Sequence, residues 1–358
     1  MEYNPQRAAA QFLPGRTISA LEPFGDGHIN GTYLVTLDDG SRYVLQRINH
    51  NVFRKPFEVM ANAVGVTSYL RAKFEREQTG RRRETLRFMQ CAENSAYCWL
   101  DPDGSYWRMY HYVGQVVSHS IVTSAAELKK SGEAFGEFMS DLADYPAATL
   151  YETIPRFHDT VDRYRNLEKA IAEAPADRLE AARADIEFYL SRKDFASLLV
   201  DELRAGNLPL RVTHNDTKLN NVLLDCETGE PVCVIDLDTV MPGLAAYDFG
   251  DSIRFGCNPA AEDEPDLSKV NFSLELYRAY TEGYLSKAGS ALTERELWSL
   301  PVGSKMMTLE CGSRFLADYL SGDTYFRISR PGQNLDRART QAKLVADMEQ
   351  VWDELTIR

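Results

Sequence analysis

Apolar and polar residues alternate along much of the first third of the chain, the period of a sheet with one face buried. The alternation predicts strands from Ile18 to Phe24, Thr32 to Leu37 and Tyr43 to Ile48. Asp38-Asp39-Gly40, between the last two, marks a hairpin turn. Two more strands, Ala96 to Leu100 and Ser105 to Val113, flank the turn Asp101-Pro102-Asp103-Gly104. From Phe57 to Arg76 the period lengthens to that of a helix, with Val59, Ala63, Val66 and Leu70 on one face. The front of the chain is therefore expected to be a twisted antiparallel sheet crossed by one helix.

After Val113 the helical period dominates, over 124–143, 158–173, 178–205, 271–288, 293–320 and 334–355. One β-rich interruption stands out. A short strand, Leu210 to Val212, is followed by a hairpin of Asn221 to Asp225 and Val232 to Asp236 about the turn Glu227-Thr228-Gly229-Glu230. The expected fold class is α+β and bilobal, of protein-kinase-like type. A small N-terminal β-rich lobe (1–113) would bind nucleotide. A larger, mainly helical lobe (114–358) would carry the catalytic loop and the substrate pocket, with the active site in a cleft between the two.

The interruption carries the chemistry. Val212-Thr213-His214-Asn215-Asp216-Thr217-Lys218-Leu219-Asn220-Asn221 reads H-x-D-x-x-x-x-N, the catalytic-loop pattern of enzymes that transfer the γ-phosphoryl group of a nucleoside triphosphate. Such a reaction needs a carboxylate to orient the acceptor hydroxyl and oxygen ligands for Mg²⁺. Asp216 suits the first task, while Asn221 and Asp236 suit the second. Lys218 is close enough in sequence to approach the transferred group. A single Asp or Asn is ordinarily a turn residue; it is the combination of His214, Asp216, Asn221 and Asp236 that points to catalysis. His214 reads as a structural brace of the loop, and Asp238 as either a supporting carboxylate or a cap. Asp248 and Asp251, near the start of a helix at Ser252-Ile253-Arg254-Phe255, are expected to cap backbone N–H groups and brace the catalytic loop. Asp248-Phe249-Gly250 is not the metal-binding triplet of protein kinases, because Asp236 already stands at the end of the corresponding strand. The loop Gly25-Asp26-Gly27-His28, between two strands, reads as an ordinary turn or as a cover whose N–H groups meet triphosphate oxygens; the downstream motifs favour the cover.

Composition narrows the partners. The chain has 358 residues and a formal net charge of −13, which argues against nucleic acid or an anionic membrane as a partner, since both need a basic face. An acidic surplus also attracts cationic substrates, though more often it serves solubility. No secretory signal pattern opens the sequence, and no apolar run reaches membrane-spanning length. The cysteines at 91, 98, 226, 233, 257 and 311 show no metal spacing and read as reduced thiols, so a cytoplasmic location is expected.

These residues resemble the aminoglycoside phosphotransferase group of the protein-kinase-like superfamily, and more closely the bacterial N-acetylhexosamine 1-kinases. The likeness is carried by Glu22 to Asn30, Arg211 to Asn221, Ile235 to Thr239 with Met241-Pro242-Gly243, Asp248 to Gly256, and Glu310 to Leu320. It implies phosphorylation of the anomeric hydroxyl of N-acetylglucosamine or N-acetylgalactosamine by ATP with Mg²⁺. Asp216 would contact the sugar, Asn221 and Asp236 would bind metal, and His28, Arg314 and Tyr325 would line the sugar pocket. Read without that likeness, these last three would be a turn histidine, a helix-surface arginine and a core tyrosine. Met109-Tyr110-His111-Tyr112 would be the interlobe connector, with Tyr110 and Tyr112 beside adenine. One departure is visible. Many superfamily members carry a strand lysine that grips the α- and β-phosphates, and here Gln46 takes that place on Tyr43-Val44-Leu45-Gln46-Arg47, with Arg47 on the opposite face. The substitution leaves open a non-catalytic nucleotide binder, and the acidic net charge leaves open a kinase for a cationic acceptor such as choline or an aminoglycoside. No Ala-Pro-Glu segment follows Asp236, which argues against a protein kinase.

Overall fold

The hairpin expected at Asp38-Asp39-Gly40 forms because Gly40 takes φ +82° and the Asp39 carboxylate accepts the Ser41 N–H at 2.9 Å. It joins β2 (Gly31–Leu37) to β3 (Arg42–Ile48), which follow α1 (Pro5–Phe12) and β1 (Ile18–Pro23). After α2 (Pro56–Glu77) come β4 (Trp99–Leu100) and β5 (Tyr106–His111), completing an antiparallel sheet of order β1-β2-β3-β5-β4. One face buries Val35, Leu37, Leu45, Trp107 and Met109 against Ala8, Ala9 and Phe12 of α1; the other packs Ile48 against Phe53, Val59 and Met60. The computed structural model describes residues 3–25 and 29–357.

The chain divides into two units. The first comprises Met1–Val117, Asp144–Pro155 and Leu223–Met241; the second comprises Ser118–Ala143, Arg156–Val222 and Pro242–Arg358. In the first unit a small sheet sets Val116–Val117 against Val222–Asp225, with Pro231–Val234 on its far side. Two differences from the sequence expectations arise here. Helix α1 was not foreseen; Asn4 caps it by accepting the Arg7 N–H, and Pro5 opens it. The strand expected from Ala96 shrinks to Trp99–Leu100, because Asn94 Oδ1 accepts the Ala96 N–H and holds a turn there, with Ser95 at φ 59°.

The second unit is helical: α3 (Ala125–Asp141), α4 (Thr160–Glu173), α5 (Ala176–Ala181), α6 (Arg183–Leu190), α7 (Lys193–Ala196), α8 (Leu198–Arg204), α9 (Ala245–Gly256), α10 (Leu274–Ala288), α11 (Glu294–Leu320), α12 (Gln333–Gln350) and α13 (Trp352–Leu355). The single helix expected over 178–205 is broken into pieces. The pieces meet at Ala182, Arg192 and Ser197, and the backbone departs from helical values at the first two, with φ −106° and −110°. Helix α9 begins at Ala245 rather than near Ser252, so Asp248 and Asp251 lie within its first two turns. It is locked against α11 where Gly250 meets the backbone of Gly303, an approach that leaves no room for a Cβ. Among the described residues no helix is long and apolar enough to cross a membrane.

A buried ion pair ties the strand Arg211–Thr213 to the start of α11. Arg211 Nε and Nη2 each donate at 2.8 Å to Glu296, itself 2% exposed and part of a capping box with Thr293. Arg211→Leu leaves that carboxylate buried and unpaired, an expected loss of about 3–5 kcal/mol by urea unfolding. Arg211→Leu/Glu296→Gln should recover part of it; no recovery would assign the loss to packing instead.

Candidate active site

The catalytic-loop sequence leaves the strand Arg211–Thr213 and turns at Asn215, whose φ of 63° is one that Asn tolerates better than most side chains. Helix α9 then holds the loop from beneath. Asp248 accepts the N–H groups of His214 at 2.8 Å and Asn215 at 2.7 Å, and Asp251 accepts that of Thr217 at 3.0 Å. Thr217 Oγ1 donates to the Asp248 carbonyl at 2.6 Å, and Ser252 Oγ donates back to the Thr217 carbonyl at 2.9 Å. His214 is fully buried with its ring edge-on to Phe135 and Phe138, so its part is to anchor the loop, as the sequence reading expected. The brace expected of Asp248 and Asp251 is likewise present, supplied from inside α9.

Asp216, Lys218 and Asn221 come together on this support. Lys218 Nζ lies 2.8 Å from Asp216 Oδ1, while Asn221 Nδ2 donates to the Asp216 carbonyl at 2.8 Å and more weakly to its carboxylate at 3.4 Å. Burial works to lower the Lys218 pKa, but the Asp216 charge outweighs it and the ammonium is held above its usual range. Asp251 is pushed up by burial and drawn below the ordinary carboxylate range by Arg254 and Lys218. For Asp248 burial wins, and its carboxyl is raised to about 6.

That shift has a sign that can be measured. Folded Asp248 binds its proton more tightly than the unfolded chain does, so its contribution to stability falls as pH rises from about 4 to about 6 and is constant above. The span is on the order of 2–3 kcal/mol. In thermal melts from pH 4.5 to 7 the wild type should therefore lose stability relative to Asp248→Asn as pH rises; parallel curves would refute the raised pKa.

The first unit carries a second polar cluster. Asp236 follows the strand Pro231–Val234 in a left-handed turn, φ 59° and ψ 56°, before the 3₁₀ turn Leu237–Thr239. Two residues on, Asp238 is 3% exposed, pairs with Arg108 and accepts from Asn30 Nδ2 at 2.7 Å. It is the supporting carboxylate of the two readings. Gln46 accepts from Arg108 Nε at 2.9 Å and donates to Thr32 Oγ1 at 3.1 Å. Arg47 points away and stacks on Tyr3, as strand alternation requires. Gly25 adopts φ +75°, whereas Asp26, Gly27 and His28 lie outside the described residues.

One expectation needs correction. Met109, Tyr110 and His111 are not connector; they belong to β5, paired with β3, and the Met109 carbonyl and His111 N–H are engaged by Met89 and Arg87. The Tyr112 N–H is also taken, by the Arg42 carbonyl. Tyr110 stands edge-on to Phe88, its hydroxyl pKa raised by burial, and Tyr112 stands edge-on to Phe24 beneath Arg42. Alternating apolar residues from Tyr106 onward favour a strand, and the connecting segment begins after it.

Arg314 and Tyr325 sit in the second unit. Arg314 reaches Glu310 one helical turn earlier at 3.8 Å and lies near the faces of Phe157 and Phe326. It is only 21% exposed, so it is not the free helix-surface arginine of the plain reading. Glu310 is buried and bonded to His158 Nδ1 at 3.1 Å; although burial raises its pKa, His158, Arg314 and Arg163 bring it below the usual value. Tyr325 is 72% exposed, which overturns the core-tyrosine alternative. Its loop is pinned by Asp318, whose carboxylate accepts the N–H groups of Thr324, Tyr325 and Phe326. Sequence reading did not single out Arg108, His158 or Glu310, since only strand register and helix packing bring them to these polar clusters.

Taken singly, Asn221 in the second unit, whose amide nitrogen is committed to Asp216 so that its oxygen is presented, and the Asp236 carboxylate in the first unit are oxygen donors of the kind that Mg²⁺ prefers. Among the described residues no group of three or more His, Cys, Asp or Glu side chains is gathered that could hold a metal ion.

Solved structures share this architecture. A microcompartment-associated aminopropanol kinase matches with a TM-score of 0.65 at 18% identity, covering 99% of each chain. An aminoglycoside phosphotransferase from Alicyclobacillus acidocaldarius gives 0.60 at 14% identity, over 99% of this chain and 97% of the other. An amicoumacin kinase in complex with AMP-PNP and Ca²⁺ gives 0.60 at 15% identity, over 95% and 93%. At these identities the likeness is one of fold, and the fold is α+β of protein-kinase-like type. The family follows from the sequence itself: residues 20–289 match the phosphotransferase enzyme family, to which this chain belongs.

Proposed function

We propose that this protein is an ATP- and Mg²⁺-dependent small-molecule kinase that phosphorylates the anomeric hydroxyl of N-acetylglucosamine or N-acetylgalactosamine. The observation that carries the kinase reading is Asp216 set beside Lys218 and Asn221 on a loop that Asp248 and Asp251 hold through its backbone. In this reading Asp216 accepts a hydrogen bond from the acceptor hydroxyl and aligns it for in-line attack. Lys218 meets charge on the transferred phosphoryl group. Asn221 and Asp236 would hold Mg²⁺, which when bound would supply positive charge to offset that of the phosphate oxygens. An anomeric hydroxyl is more acidic than other sugar hydroxyls, so orientation counts for more than proton abstraction.

The sugar is supported by the charge around Arg314. Arg163, largely buried, interacts with both Glu310 and Arg314, and the neighbouring Asp162 is occupied by Arg156 at 2.7 Å. Arg314 and Arg163 thus set guanidinium charge beside Glu310, with Asp162 also acting on Arg163, and a guanidinium at the acceptor position disfavours an ammonium group there and suits a neutral polyhydroxy acceptor. The competing reading, a kinase for an amino alcohol or aminoglycoside, draws on the acceptors named for the aminopropanol kinase and the aminoglycoside phosphotransferase.

ADP release with Mg-ATP, compared across N-acetylglucosamine, N-acetylgalactosamine, an aminoglycoside, choline, aminopropanol and no acceptor, tests the choice. The expected result is turnover with the N-acetyl sugars and a product phosphorylated at the anomeric carbon. Turnover confined to the cationic acceptors would keep the kinase and discard the sugar.

A further inference from the structure

The gap left by Gln46 has a candidate answer on the next strand. In the β3–β5 register Gln46 faces Arg108 directly, so a long side chain at 108 rises beside the place that a lysine at 46 would occupy. Arg108 is 3% exposed, and a guanidinium so buried persists only when its charge is compensated. Nε donates to Gln46 Oε1 at 2.9 Å, and Nη1 pairs with Asp238. The charge of Asp236 also acts on it, and Met60 and the Phe88 ring close the apolar side. Gln46 is itself fixed by Thr32, and Asp238 by Asn30, whose Oδ1 accepts the Asn49 N–H at 3.0 Å. A single guanidinium therefore joins the β3 position expected to carry charge to the segment that bears the expected metal carboxylate.

We propose that Arg108 is the positioning cation of the nucleotide site, taking over from β5 the charge that β3 lacks at Gln46 and orienting the Asp236–Asp238 segment through its pair with Asp238. The chemistry explains why glutamine is retained at 46. A lysine there would set a second buried cation against Arg108, whereas the glutamine oxygen accepts from Nε and leaves the guanidinium plane turned toward Asp238. The inference rests on the nucleotide-binding reading above, and its test needs no acceptor.

Calorimetric titration of Mg-ADP into the full-length protein comes first. Wild-type protein that does not bind would remove the nucleotide reading, and this inference with it. Arg108→Gln/Asp238→Asn removes both charges together, so that no buried ion is left alone. If Arg108 positions the site, this variant binds Mg-ADP at least about 10-fold more weakly, while its melting temperature stays close to wild type. Gln46→Lys/Arg108→Gln returns the charge from the opposite strand and should recover affinity to within about 5-fold of wild type, which a purely structural role would not predict. Unchanged Mg-ADP affinity in the neutral pair overturns the proposal, as does a charge-transposed variant that folds but binds no better than the neutral pair. If the neutral pair does not fold, the transposed variant decides alone: affinity within about 5-fold supports the proposal, and a larger loss overturns it.

Discussion

Asp216→Asn protein should fold as wild type and turn over about 10²–10⁴-fold more slowly, the usual worth of a positioned acid–base group. The two halves of that expectation have separate causes. The loop is held by Asp248, Asp251 and Ser252 acting on the backbone of His214, Asn215 and Thr217, and Asp216 takes no part in that support. Among the described residues its carboxylate meets the Lys218 ammonium and, at longer range, the Asn221 amide, so an isosteric amide is expected to leave the fold in place. What it removes, in the proposed function, is the negative acceptor that would orient the attacking hydroxyl. The check is kcat beside a thermal melt; near wild-type turnover in a folded variant would sink the assignment of Asp216.

Asp236→Asn is expected to act through the metal instead. Asn tolerates the left-handed backbone at this position, so replacing the carboxylate need not strain the turn. The loss of one negative ligand should lower kcat by about 10²-fold, the order found when a single charge-stabilising group is removed from a phosphoryl or acyl transfer site. It should also raise the Mg²⁺ concentration giving half-maximal activity by at least about 10-fold. A Mg²⁺ titration of ADP release separates these effects from misfolding. An unchanged Mg²⁺ requirement would assign the metal site elsewhere.

Much of the architecture was legible before any coordinates, because it is written in periodicity. Three strands of the sheet, the long crossing helix and most helices of the second unit follow from spacing of apolar residues, and the hairpin follows from Asp-Gly chemistry. Where the reading failed, a local side-chain bond had overridden the pattern. Asn94 shortens a strand, and Asn4 with Pro5 starts a helix too short to announce itself.

The reactive groups divide along the same line. Asp216, Lys218, Asn221 and Asp236, with His214 as brace, could be proposed from sequence because phosphoryl transfer draws on few residue types at fixed spacings. Asp248 and Asp251 could be suspected, but not their targets, since the N–H groups they hold lie more than thirty residues back along the chain. Arg108 could not be singled out at all. On its own it is one arginine in an alternating strand; it acquires a role only when antiparallel register sets it across from Gln46 and folding brings Asp238 to its guanidinium. The sequence by itself determined the elements and the catalytic loop, because backbone preference and motif chemistry act over a few residues. Tertiary structure alone decided which charges are buried, which carboxylate compensates which guanidinium, and which way the Lys218, Asp248 and Glu310 pKa values move, because desolvation and Coulomb energy depend on neighbours brought together only by folding.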